Sequence, residues 1–221
     1  MFGAGGDSHD SHAKVRNGAG TAAAWPAGCP ATESTRASRG LEQFVLTLRA
    51  MPTTAVLDLG PINQENTDQV SNLGHRIYFS DILRPLDAVW DDPDLSENRK
   101  IEEILDQTLN YPESCIGGAM VWDTFQHLPA PLLEAVVERL YYLLNPGGLI
   151  LTFFHADEKA RSVPNYAYRI LDAKNMVLTP RQLRPREQFF NNRALERMFQ
   201  NYGAVKFFLT RDHLREVIVK R

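Results

Sequence analysis

The chain has 221 residues, 43% of them hydrophobic, and a formal net charge of -3, which suits one good core and is too little for two comfortable domains. That charge gives no reason to expect a nucleic acid or other polyanion. No apolar run approaches the roughly 18 residues of a membrane span, and Asp7, His9 and Asp10 interrupt any signal-peptide core.

Residues 1–38 are mainly Gly, Ala, Ser and Thr, with Phe2, Val15 and Trp25 as large apolar groups. Such a segment buries too little surface to offset its ordering entropy, so it is expected to be a disordered tail ahead of a domain over 39–221. Early acids argue against an organelle transit peptide. Cys29 and Cys115 stand far apart without paired spacing, so neither a disulfide framework nor a metal site is expected, and a reducing, cytoplasmic setting is the plain reading.

In "RGLEQFVLTLRAM", Leu41, Phe44, Val45 and Leu48 recur at helical spacing. "TAVLDLG" is a near-continuous apolar run, the pattern of a strand buried on both faces. "INQENTDQVSNLG" predicts a polar helix stopped by Gly74, and "HRIYFSDIL" a second strand. Residues 81–113 carry ten acids against three bases and hold a helix near 97–109, with Ile101, Ile104, Leu105 and Leu109 on its apolar face. A third strand here would be short, at "DAVW". The pattern resumes as "CIGGAMVWD" (strand), "PLLEAVVERLYYLL" (helix), "NPGG" (turn) and "LILTFFH" (strand). Residues 156–188 read as a basic loop. "NNRALERMFQNYG" is a helix, and "AVKFFLT", the turn "RDHL" and "REVIVKR" form a closing antiparallel hairpin. The expected fold is α/β, a Rossmann-like three-layer sandwich with a mostly parallel sheet and a C-terminal antiparallel hairpin.

"VLDLGP", "VWDTFQHLP" and "NPGG", in this order and spacing over residues 40–221, resemble the motifs of the class I S-adenosylmethionine-dependent methyltransferases. The branch of that family with "DLGP" in place of the glycine-rich first loop is the most similar. The resemblance implies S-adenosylmethionine as cofactor and a small-molecule acceptor, methylated by in-line transfer. It implies cofactor contacts from Asp58, Gly60, Pro61, Asn63, Asn66, Asp81, Trp122 and Asp123. A methyltransferase-like protein that has lost catalysis and binds a partner is the alternative. A nicotinamide-dependent oxidoreductase fits less well, because Pro61, Ile62, Asn63, Gln64 and Glu65 after Gly60 break the G-x-G-x-x-G spacing.

Aligned on Asp58-x-Gly60, the family's further glycines fall on Ile62 and Gln64. Ile resists positive φ, and Pro61 removes an amide donor. The loop is then either wider, with Asn63 and Asn66 side chains supplying polar contacts, or closed. Asp81 follows Gly60 by 21 residues, near the roughly 20-residue spacing of an acid that grips ribose hydroxyls; its other reading is a surface acid ending a strand. Asp58 is read as an amine acceptor or as a loop-capping acid. His127 is the candidate base for the acceptor, or a packing residue before Leu128-Pro129. Trp122 and His155 are edge residues with the same double reading. Arg181, Arg184 and Arg186 meet an anion or line a solvated loop.

Overall fold

The computed structural model describes residues 25–157, 159–208, 210 and 213–221. In chain order the elements are β1 (Ser34–Ala37), α1 (Arg39–Arg49), β2 (Ala55–Asp58), α2 (Gln64–Asn72), β3 (Arg76–Phe79), α3 (Leu83–Val89), α4 (Glu97–Thr108) and β4 (Ile116–Trp122). A 3-10 turn (Thr124–His127), α5 (Ala130–Leu143), β5 (Leu144–His155), β6 (Ser162–Ile170), β7 (Asn175–Pro185), α6 (Asn192–Met198), β8 (Ala204–Phe208) and β9 (Leu214–Lys220) follow.

Polar side chains start the helices where the sequence places them. Ser38, Asn63, Ser96 and Asn191 each accept a backbone N–H of the first turn of α1, α2, α4 and α6. Gly74, at φ 84°, ends α2 in the left-handed conformation that favours glycine. The apolar runs of β2 and β4 are buried along their whole length, so both must lie inside a sheet covered on two faces. They pair in parallel at the centre of a six-stranded sheet of order β3-β2-β4-β5-β9-β8. β3, β2, β4 and β5 are parallel, β9 runs antiparallel to β5, and β8 antiparallel to β9.

One face of this sheet is covered by α3, α4, α5 and α6, whose Leu86, Ile104, Leu133 and Leu195 join Leu57, Val121 and Ile150 in one core. The other face receives Leu41, Phe44 and Leu48 of α1 and Val70 of α2 against Met120, Leu151 and Phe153. The result is the expected three-layer α/β sandwich. No helix among the described residues is long and apolar enough to cross a membrane.

Three expectations need correction. The loop predicted over 156–188 is largely a hairpin: β6 and β7 pair antiparallel and, with β1, form a second sheet of order β1-β7-β6. Pro164, Pro180 and Pro185 mask this in the sequence. Each is tolerated because β6 is an edge strand and β1 reaches only Asn175–Leu178 of β7, leaving the prolines no ladder bond to break on that side. Second, "DAVW" belongs to α3 and its C-cap rather than to a strand, so β3 is a sheet edge among the described residues. Third, the expected tail does not extend to residue 38. Residues 1–24 lie outside the described residues, but β1 pairs with β7 and Trp25 packs edge-on against Tyr166. The turn expected over 211–214 includes 211 and 212, which also lie outside the described residues.

β1 is tied down by a buried ion pair. Arg36 Nη2 lies 2.9 Å from Glu216 Oε1 of β9, with side-chain exposures of 8% and 1%, and Gly40 N–H donates to Glu216 Oε2 at 2.6 Å. Removing one member of a buried pair leaves an uncompensated charge. Arg36→Met is expected to lower stability by about 3–5 kcal/mol in a urea titration, and adding Glu216→Leu to recover part of that loss.

Candidate functional site

At the carboxyl edge of the sheet, β2 ends in Asp58, β3 is followed by Ser80 and Asp81, and β4 ends in Trp122 and Asp123. Neighbouring strands on the two sides of β2 leave it in opposite directions along the order, which is where open α/β sheets place ligands.

Asp58 is fully buried and accepts three N–H donors from three elements. Gly60 N donates at 2.8 Å, Asn66 Nδ2 at 2.8 Å and Trp122 Nε1 at 2.6 Å. Burial pushes its carboxyl up to about 6, with the hydrogen bonds from Trp122, Asn66 and Gly60 pulling the other way. A Cβ on Gly60 would sit 3.1 Å from Asp58 Oδ1 and 3.3 Å from the Trp122 indole. The glycine is therefore needed by the chain's own crowding at this point. Trp122 holds φ 56°, a region that non-glycine residues rarely adopt, and Thr152 Oγ1 donates to its carbonyl at 2.9 Å.

The asparagines are spent internally. Asn63 is the N-cap of α2, accepting from Asn66 N at 2.8 Å. Asn66 Nδ2 also donates to Tyr168 O at 3.1 Å while its Oδ1 accepts from Ile170 N at 2.8 Å. Its amide thus pairs with the outer edge of β6 as a neighbouring strand would. Tyr168 stacks on Trp122 with ring centroids 4.8 Å apart and planes 3° apart. The side chains of Asn63 and Asn66, expected to face the cofactor, make hydrogen bonds within the chain instead. The side chain that lies against Gly60 is that of Trp122, whereas Ile62 is 81% exposed.

Asp81 is different. Its side chain is 18% exposed, Oδ2 accepts from Arg181 Nη1 of β7 at 3.3 Å, and the buried Oδ1 has no hydrogen-bond partner among the described residues. Arg184, also of β7, pairs with Asp87 of α3, and Arg186 donates to His155 O at 2.8 Å. The arginines of the supposed basic loop therefore pin the second sheet to this edge.

Asp123 is buried and accepts from Asn165 Nδ2 at 3.2 Å and Tyr166 N at 3.1 Å; burial pushes its carboxyl up to about 7. His127, the expected base, is buried in the 3-10 turn and donates from Nδ1 to Pro185 O at 3.3 Å. Burial holds it down at about 3, so it stays neutral and is a weak proton acceptor. Its burial and its contact with Pro185 O fit the packing reading of His127. His155 Nε2 contacts Cys29 Sγ at 2.9 Å, which ties the segment before β1 to the sheet edge.

Asn165, Tyr166 and Tyr168 stand in "NYAY", a stretch that the resemblance implies for a substrate lid; the sequence reading placed it in a loop and missed the strand, β6, that carries these contacts. Alternation in "SVPNYAYRI" is the signal that was present, obscured by the prolines around it.

No protein-family model matches the sequence. No curated protein matches it either. Among solved structures the chain is similar to 1,6-didemethyltoxoflavin-N1-methyltransferase of Burkholderia thailandensis, solved with 1,6-didemethyltoxoflavin and S-adenosylhomocysteine. Identity there is 14% over 83% of this chain and 79% of that one, with a TM-score of 0.46. A SAM-dependent methyltransferase from Archaeoglobus fulgidus is 13% identical over 82% of this chain and 94% of that one, TM-score 0.48. One from Methanosarcina mazei is 12% identical over 80% and 96%, TM-score 0.44. At these values the likeness carries no argument about the fold or the site of this chain. Strand order and register define a Rossmann-like α/β fold with an antiparallel end, and the site is argued on its own contacts.

The buried acids make a pH test. Asp123 keeps its proton to about 7 when folded, against 3.8 ordinarily. In that window the folded state binds more protons, so stability falls as pH rises. His127, at about 3 when folded against 6.5 ordinarily, acts in the opposite sense below neutrality. Subtracting wild type from Asp123→Asn cancels the His127 contribution. The stability of the variant relative to wild type is expected to rise by on the order of 2–4 kcal/mol between about pH 4 and about pH 8 in denaturant titrations.

Proposed function

We propose that the protein binds S-adenosylmethionine across the carboxyl ends of β2 and β3 and transfers its methyl group to a small-molecule acceptor. The observation that carries this reading is the pair of acids ending these strands at the switch point, one of them with a carboxylate oxygen left unpartnered.

The chemistry of the two acids fits the cofactor. Asp58 already accepts N–H groups, and the indole N–H of Trp122 stands where the cofactor's ammonium would donate. Asp81 Oδ1 would accept a ribose hydroxyl. When bound, the cofactor supplies a methyl on a positively charged sulfur, so the protein's own part is chiefly to position and to exclude water. Asp58, Asp81 and the N-terminus of α2 would hold it, and the second sheet over this edge would shield it.

An acceptor of small size is supported by the charge pattern. Arg169, Arg181 and Arg184 are each paired with a carboxylate, which leaves them little charge to offer a nucleic-acid backbone. A cytoplasmic setting accords with the free thiols of Cys29 and Cys115.

A specific observation favours a second reading, a methyltransferase-like binding protein without catalysis: both carboxylate oxygens of Asp58 are already engaged, Oδ1 by Gly60 N and Trp122 Nε1 and Oδ2 by Asn66 Nδ2. Calorimetry with S-adenosylmethionine, S-adenosylhomocysteine and NAD separates the two. We expect saturable binding of the first two, none of NAD, and at least a tenfold loss with Asp81→Ala. No binding of any of them would leave the non-catalytic reading in place.

A further inference from the structure

We infer that Trp122, on Asp58, and Arg181, on Oδ2 of Asp81, form a latch over the cofactor's two anchoring acids, so that ligand enters by displacing the indole and loosening the guanidinium beside the free Oδ1. The inference rests on the reading of Asp58 and Asp81 as cofactor contacts.

Both acids carry internal donors of the kind the cofactor would bring. Trp122 Nε1–H reaches Asp58 Oδ1 at 2.6 Å, in the position assigned to an ammonium. Arg181 Nη1 reaches Asp81 Oδ2 at 3.3 Å, beside the oxygen assigned to a ribose hydroxyl. The indole also closes on Gly60, where even a Cβ would be crowded, so the space beside the loop cannot take a ligand until the ring moves.

The two donors belong to one cover. Trp122 stacks face to face on Tyr168 of β6, and Phe153 leans on both rings. Tyr168 O and Ile170 N are held by Asn66, the residue that also donates to Asp58. Arg181 lies on the partner strand, β7, and Arg184 fixes the same strand to Asp87. Moving the indole therefore disturbs the stack under β6, and moving Arg181 loosens β7.

The positions differ in how firmly they hold. Arg181 is a partly exposed ion pair, the kind that exchanges readily with solvent. Trp122 is buried, but its backbone is in the left-handed region that a non-glycine residue rarely keeps. A swing of the residue into an ordinary conformation would relieve that strain as the ligand takes its place. Apparent affinity is then the intrinsic affinity reduced by the fraction of molecules with the latch open.

The test measures S-adenosylhomocysteine binding by calorimetry for wild type, Trp122→Phe and Arg181→Gln, and follows the Trp122 indole N–H proton by NMR. Trp122→Phe assigns that resonance and keeps a ring over Tyr168. Arg181→Gln, at a partly exposed position, provides a variant whose folding is not at risk. The latch predicts that both variants bind at least fivefold more tightly than wild type and that ligand shifts the wild-type indole resonance. Binding in wild type with an unmoved resonance, or with variants no tighter, overturns the latch and leaves the cofactor reading intact. Absence of binding in all three proteins overturns the cofactor reading and the latch with it.

Discussion

One buried carboxylate, Asp58, organises this edge of the molecule. Isolated in an apolar interior it would be strongly disfavoured, and the chain meets that cost by bringing three N–H donors to it from a loop, a helix and the end of a distant strand. Those contacts decide the path of residues 58–66, the direction of the Trp122 indole and the position of Asn66. Since Asn66 then pairs with the outer edge of β6, the second sheet is seated by the same acid. Burial and hydrogen bonding pull its proton affinity in opposite directions, with burial the larger effect.

The second sheet changes what the ordinary fold would expose. The carboxyl edge of a parallel sheet is usually the open side of an α/β protein. Here β6 and β7 lie against it, with an aromatic stack of Trp122, Tyr168 and Phe153 beneath and ion pairs to Asp81 and Asp87 at the rim. The stack is buried and packed, while the rim pairs are exposed and individually worth little. Opening of this cover is expected to begin at the rim and to end at Asp58, a gradation that follows from burial alone.

The legible parts of the sequence were those governed by local pattern. β2 and β4 were readable because strands buried on both faces need unbroken apolar runs, and α1 and α4 because apolar residues such as Leu41, Phe44, Val45 and Leu48 recur at helical spacing. Asp58, Gly60, Asp81, Trp122 and Asp123 were also correctly gathered at one edge, since strand ends in a parallel sheet share that edge. The hairpin of β6 and β7 was missed because proline is a strand breaker only where a ladder bond is required, and the pairing that removes the requirement is made by β1 and not by neighbours in sequence. His127 could be placed near the edge but not inside it, and its burial is what removes its use as a base.

Taken by itself, the sequence determined the strands of the six-stranded sheet with its parallel core and antiparallel end, the helices between them other than α3, and the polar residues that end β2, β3 and β4. These follow from periodicity, capping and apolar run length, which act over a few residues. Only the tertiary structure decided that the Trp122 indole reaches Asp58, that Asn63 and Asn66 serve the fold, and that Arg181 faces Asp81. Those choices include hydrogen bonds between residues as many as 105 positions apart, and no local pattern carries the information about which distant donor reaches a given acceptor.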